Sequence, residues 1–206
     1  LLGIAQFDLP SLVPNLFWPS DQWSVPTLRA SLGCEVAVVS MVNCWDAGEG
    51  APLDGELEFG FHGGQVIRVT TTHMAGVEVL PTSAHEEPRV TGDECDWHWL
   101  RRELSVEAPW LTLVGARLVS VAALIKPDIG YGFDAGVTGL LFDFGSNRRV
   151  GYDNWNYDQP RASFNPSAGV WSDGRVIEWM RCTAPNEEEL PHTSFIGEVH
   201  DAGPPR

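Results

Sequence analysis

Lysine is nearly absent from this chain. Lys126 stands alone among 13 cations, which face 28 acidic residues for a formal charge of −15. A field of that sign repels nucleic-acid phosphates and anionic membranes and draws basic partners inward. Cysteine is sparse as well, with Cys34, Cys44, Cys95 and Cys182 widely spread and no CxxC pair. An even count permits two disulfides, but a cysteine-dense secreted scaffold is excluded, and free buried thiols in a reducing, cytoplasmic compartment are the expectation. No run of 18 apolar residues occurs, so no membrane span is expected. The chain opens on Leu1 rather than Met, which is compatible with a removed leader.

Signatures of several chemistries are missing too. There is no GxSxG elbow and no local pattern announcing a nucleophilic Ser or Cys. The glycines of "HGGQ" lie between two strands with no following helix to hold an anion, so nothing asks for a nucleotide. Cys95 and His98 in "ECDWH" would share one face of a helix, yet no second pair of zinc-ligand spacing accompanies them. No metal site and no cofactor are expected, and no catalytic residue can be nominated.

What the chain does have is apolar mass. Its hydrophobic fraction is 43%, with nine Trp and nine Phe, enough for a packed core in one domain of generous size. Residues 1–31 hold Pro10, Pro14, Pro19 and Pro26, a density that opposes a long helix and suggests an extended segment pinned by Phe17, Trp18 and Trp23. The Val-rich "LGCEVAVVSMVNCW" (32–45) reads as a buried strand. "ELEFGFHGGQVIRVTT" reads as a hairpin, because Leu57, Phe59 and Phe61 alternate and Gly63-Gly64 supplies the turn. "GVEVLP" (76–81) adds a short strand. In "TGDECDWHWLRREL" Asp93 can cap a helix that puts Trp97, Leu100 and Leu104 on one face, with Pro109 barring continuation.

The pattern then recurs. "VGARLVSVAAL" (114–124) matches "LGCEVAVVSMV" (32–42) at an offset of 82, with Gly33 against Gly115 and Val39 against Val121. "LLFDFGSNRRVGY" matches the first hairpin at an offset of 83, pairing Leu57 with Leu140, Phe59 with Phe142, Phe61 with Phe144 and Ile67 with Val150. Two stretches agreeing on nearly one offset argue for internal duplication. A further hairpin, 169–182, turns at Asp173-Gly174, with Val170, Val176 and Trp179 as inward candidates. The expected architecture is α+β and mostly β: a single domain over 1–206 with duplicated antiparallel units at 32–80 and 114–164. A helix near 93–105 connects them, a proline-rich segment (1–31) precedes them, and an acidic tail (184–206) follows.

The copies differ at "GYDNWNYDQP" (151–160), where the first copy has the plain "VTTTHMAGVE". Asn154, Asn156 and Asp158 alternate as calcium ligands would, but Gln159 stands where the loop glycine belongs and Asn165 where the closing Glu belongs. Aromatics among amides and carboxylates suit a protein interface or a sugar face, or else fold back on the sheet. The candidate binding residues are therefore Asp153, Asn154, Trp155, Asn156, Tyr157 and Asp158.

"LVGARLVSVAAL" followed by "GLLFDFGSNRRVGYDNW" resembles bacterial immunity-type proteins of polymorphic toxin systems, over about 50 residues of the second copy and a degraded 50 of the first. The resemblance implies a non-enzymatic protein that binds and blocks a cognate toxin, often basic; it transfers no binding residues. The leading expectation is an acidic, non-catalytic binding protein that occupies a basic protein partner, with neither nucleic acid nor membrane as a target. The alternatives are a carboxylate-dependent hydrolase and a carbohydrate-binding module. A cleft holding two carboxyls, one with a strongly raised pKa, would favour the first; a flat row of exposed Trp and Tyr would favour the second.

Overall fold

The computed structural model describes residues 3–6, 8–9, 13, 15–18, 21–45, 55–72, 76–82, 98–130, 133–154, 160–166 and 175–183. Alternating apolar residues build two antiparallel sheets from them. In the first, β3 (Val36–Trp45), β4 (Glu56–Phe61), β5 (Val66–Thr71) and β6 (Val77–Thr82) form a meander, and β7 (His98–Glu103) returns to pair with β3. In the second, β8 (Ser120–Gly130), β9 (Phe133–Asp143), β10 (Arg149–Asn154) and β11 (Pro160–Phe164) form a meander, and β12 (Arg175–Thr183) returns to pair with β8. The orders β7-β3-β4-β5-β6 and β12-β8-β9-β10-β11 are the same. The second sheet gains β1 (Gly3–Gln6) outside β12, and β2 (Leu16–Phe17) runs parallel to β9. Together with one α-helix, this is the α+β, mostly β class expected from the sequence.

The agreement extends to register. Val39 faces Phe59 as Val121 faces Phe142, and Leu57 faces Val69 as Leu140 faces Tyr152. Both return strands carry an irregularity at the same place. Leu104 and Ser105 both donate to Val39 O, and the β12 register shifts between Glu178 and Met180. The hairpin turns match as well: Gly63 and Gly64 have φ of 109° and 89°, and Ser146 and Asn147 take 53° and 59°.

The two units meet about a local twofold axis. Gly33 N donates to Leu118 O and Gly115 N to Val36 O, both at 2.8 Å; Val36 N donates to Ala116 O at 2.8 Å and Leu118 N to Cys34 O at 3.1 Å. Each bond becomes its mate when residue i is exchanged with i + 82. Gly33 and Gly115 admit this crossing because both hold positive φ, 79° and 78°, which a side chain would oppose. Glu35 and Arg117 form the antiparallel bridge at its centre, and their side chains pair at 2.8 Å. Beneath the axis Phe59 touches its mate Phe142, ring centroids 5.1 Å apart, and Phe144 at 5.5 Å. One apolar cluster runs from Leu28 through both sheets to Met180.

Two expectations of helix position are overturned. Residues 98–103, expected to be helical, are strand β7, because the Val-rich β3 presents a second edge whose backbone groups need partners; the capping residue Asp93 lies outside the described residues. The helix is instead α1 (Asp21–Ser31), inside the proline-rich segment. Pro26 removes one helix bond on an exposed side, while Leu28 is fully buried and Ser24 Oγ accepts from the Val79 amide at 2.9 Å. Tertiary packing onto β6 thus outweighs the proline. Of the expected final hairpin, 167–174 lies outside the described residues. Its inward candidate Trp179 is buried in the shared core, whereas Val176 packs on the opposite face with Leu124 and Leu141, since it alternates with Ile177 and Trp179.

Candidate functional site

Asp153 and Asn154, two of the six residues singled out in the sequence, end strand β10 and are 1% and 3% exposed. The Asp153 carboxylate takes hydrogens from Arg161 Nε and Nη2 at 3.3 and 3.0 Å, a pairing set by the β10–β11 register. Both are thus buried within the paired strands β10 and β11. Trp155, Asn156, Tyr157 and Asp158 lie outside the described residues. Tyr152 points into the shared core, where burial, with the charges of Glu56 and Asp153 nearby, holds its phenol well above the ordinary range.

A second difference between the units is fully in view. Leu57, Phe59 and Phe61 face the core, so alternation turns Glu56, Glu58 and Gly60 to the outer face of the first sheet. Glu58 is only 3% exposed there and is fully engaged. Its Oε1 accepts from Arg68 Nε and Nη2 at 3.0 and 2.8 Å, and its Oε2 from Arg101 Nε at 2.8 Å. Arg68 Nε also lies 3.3 Å from Glu56 Oε2, and Thr70 Oγ1 donates to Glu56 Oε1 at 2.9 Å. Beside this ladder opens a cavity of about 290 Å³, lined by Val38, Ser40, Glu58, Gly60, Val66, Arg101 and Glu103. Its floor dips at Gly60, where a Cβ would come within 2.6 Å of Val38 Cγ1. Glu103 stands exposed at the rim; Ser105 Oγ donates to its Oε1 at 2.8 Å, and no cation pairs with it among the described residues.

The other sheet inverts this pattern. The register equivalences place Ala122 where Ser40 is, Leu141 where Glu58 is and Val176 where Arg101 is, and these residues form a small apolar cluster with Leu124. Gly60 and Val66 correspond to Asp143 and Arg149, whose side chains pair at 2.9 Å over the equivalent of the cavity floor. Glu103 corresponds to another acid, Glu178, but at the ladder positions polar and apolar residues have changed places, so the fold itself does not demand the ionic ladder.

Burial dominates the electrostatics of the first outer face. Burial pushes the Glu56 carboxyl up, against the Thr70 hydrogen bond and Arg68, with the charge of Glu58 adding to the rise; burial likewise raises Glu78 on β6. A carboxylate whose folded pKa is raised contributes stability that is full below its unfolded pKa, about 4.3, and is lost as pH rises through the folded value. Glu56→Gln, which keeps an acceptor for Thr70, is therefore expected to raise Tm near neutral pH. The gain should shrink to nothing by about pH 4, as a melting series across pH will show.

A hydrolytic dyad fits this site poorly. Both oxygens of Glu58 are held by guanidinium groups, which leave it no geometry for proton transfer or attack. Among the described residues no three His, Cys, Asp or Glu side chains converge as metal ligands, and no helix is long and apolar enough to cross a membrane. Cys34 and Cys182 are free, half-buried thiols, the latter with its pKa raised, chiefly by burial. No protein-family model, curated protein or solved structure matches this chain.

Proposed function

We propose that the protein is an acidic, non-catalytic binding protein whose partner is a basic protein. The observation that carries this reading is the segregation of charge. Along the sequence, 46–54, 83–97 and 184–206 together hold 13 of the 28 acids and only two cations, Arg89 and Arg206. The described β body, with 13 acids and 11 cations, is close to balanced. Its cations are largely spent on internal pairs such as Arg117–Glu35, Arg149–Asp143 and Arg161–Asp153. The remaining acid surplus belongs to 46–54, 83–97, 184–206 and two shorter stretches between strands. Acidic stretches of sequence alongside a nearly charge-balanced β body suit long-range capture of a cationic surface. The resemblance to immunity-type proteins makes a bacterial toxin the candidate partner, met in the cytoplasm.

Capture from a host extract, with association rates followed across ionic strength, tests this reading. The reproducible partner should be a basic protein. Its association rate should fall steeply with salt, and should fall again when Glu187, Glu188 and Glu189 are replaced by Gln. A partner that is acidic or a glycan, or a rate indifferent to both changes, overturns it.

A further inference from the structure

We propose that the cavity over Gly60 is a receptor for a single lysine or arginine side chain of the partner, with the aliphatic stem on Val38, Gly60 and Val66 and the cationic head at Glu103. This inference rests on the basic-partner reading and deepens it.

Three features of the cavity converge on that ligand. Its volume, about 290 Å³, is at the lower edge of small-ligand sites (roughly 300–1,000 Å³), so it suits one side chain rather than a cofactor. Its lining is split: two valines flank a glycine whose missing Cβ lets Val38 Cγ1 lean over it as an apolar floor, while Ser40, Glu103 and the Glu58–Arg101 pair form the polar side. An apolar stem ending in a charged head matches such a split lining, since long cationic side chains bury their methylenes and keep the head at polar groups. The charge count is also one-sided. Among the described residues Glu56, Glu58 and Glu103 face two cations, Arg68 and Arg101, and Glu103 has none of its own. An incoming ammonium or guanidinium completes the balance.

The second sheet supplies the internal control. There the equivalent floor is covered by the Asp143–Arg149 pair, and the equivalents of Ser40, Glu58 and Arg101 are apolar. The first unit thus keeps open, at the expense of burying an ionic ladder, a space that the same topology closes elsewhere. Buried ion pairs are weak contributors to stability, so their presence at only one of two equivalent places points to a ligand.

The test is an NMR titration of the full chain with Nα-acetyl-arginine and Nα-acetyl-lysine methylamides, set against the norleucine analogue and guanidinium chloride. The basic derivatives should shift the amides of Ser40, Gly60 and Val66, and bind about tenfold more weakly to Glu103→Gln. Gly60→Ala should also weaken them, because its Cβ displaces the Val38 side chain that forms the floor; if that variant folds poorly, Glu103→Gln carries the test, being at an exposed rim. Equal binding of the norleucine analogue shows that the head is not read, and equal binding of guanidinium shows that the stem is not; either overturns the proposal. If the basic partner binds Glu103→Gln and Gly60→Ala undiminished, the cavity inference falls while the basic-partner reading stands. If no basic protein binds the wild-type chain at all, both fall.

Discussion

Phe59→Ala should destabilise the whole protein by about 3–5 kcal/mol, the range for truncating a large buried aromatic. Phe59 is fully buried and touches Phe61, Phe142 and Phe144, so the surrounding rings cannot close the gap without leaving the sheets they belong to. At roughly 2–4 °C per kcal/mol for a chain of this size, Tm should fall by about 6–20 °C. Phe142→Ala should fall by a similar amount, because Phe142 is the mate of Phe59 across the local twofold and lines the same cluster. Each variant should still unfold in one transition, since neither sheet has a core of its own to melt separately. A calorimetric trace with two resolved transitions, only one displaced by Phe59→Ala, would refute a common core.

That core is readable in the residues alone. The alternation of Leu57, Phe59 and Phe61, repeated by Leu140, Phe142 and Phe144, gives both the inward faces and the equivalence of the hairpins. Gly33 and Gly115 head the repeats, and their positive φ shows why glycine is there. Helix position is legible only where local pattern and tertiary demand agree. Trp97, Leu100 and Leu104 have helical spacing, yet β3 needs a neighbour on its second edge, and the backbone bonds from β7 decide the matter. Pro26 argues against a helix at 21–31, yet Leu28 and Ser24 dock it on β6. The return of β7 and β12 beside the first strand of each meander depends on contacts remote in sequence, which no local pattern encodes.

The candidate site is half legible. A hairpin turning about Gly63 places Glu58 opposite Arg68, and the inward alternation of their neighbours sends both to the outer face, so that pair follows from the sequence. Arg101 does not, because its strand reads as helix. Gly60 reads as an ordinary break in alternation and becomes a cavity floor only through the closeness of Val38. The burial of Asp153 is hidden from the sequence for the opposite reason. Beside Trp155 and Tyr157 the residue looks like surface chemistry, while the register with β11 brings Arg161 to it and buries the pair.

Removing Glu58 alone should be among the most damaging changes available outside the core, and removing its whole network among the mildest. Glu58→Gln takes from the buried Arg68 guanidinium the carboxylate it meets at 2.8 Å, and from Arg101 the one it meets at the same distance, a loss of about 3–5 kcal/mol. Replacing Glu56→Gln, Glu58→Leu, Arg68→Met, Arg101→Val and Glu103→Gln together exchanges the ladder for largely apolar side chains like those of the cluster on the other sheet, removes the acceptor at the rim, and leaves none of these charges behind. Apolar replacement of a buried ionic network is often neutral or stabilising by about 1–4 kcal/mol, so this variant should melt at or above the wild-type temperature. It should nevertheless lose the arginine and lysine derivatives, because Glu103 and the Glu58–Arg101 pair are gone from the cavity while its Gly60 floor remains. Thermal melts and the same titration decide the point. A five-residue variant that unfolds shows the ladder to be a structural requirement of the first sheet; one that stays folded and still binds the basic derivatives shows that recognition lies elsewhere. Stability kept with binding lost is the outcome that separates what this face does for the fold from what it does for a partner.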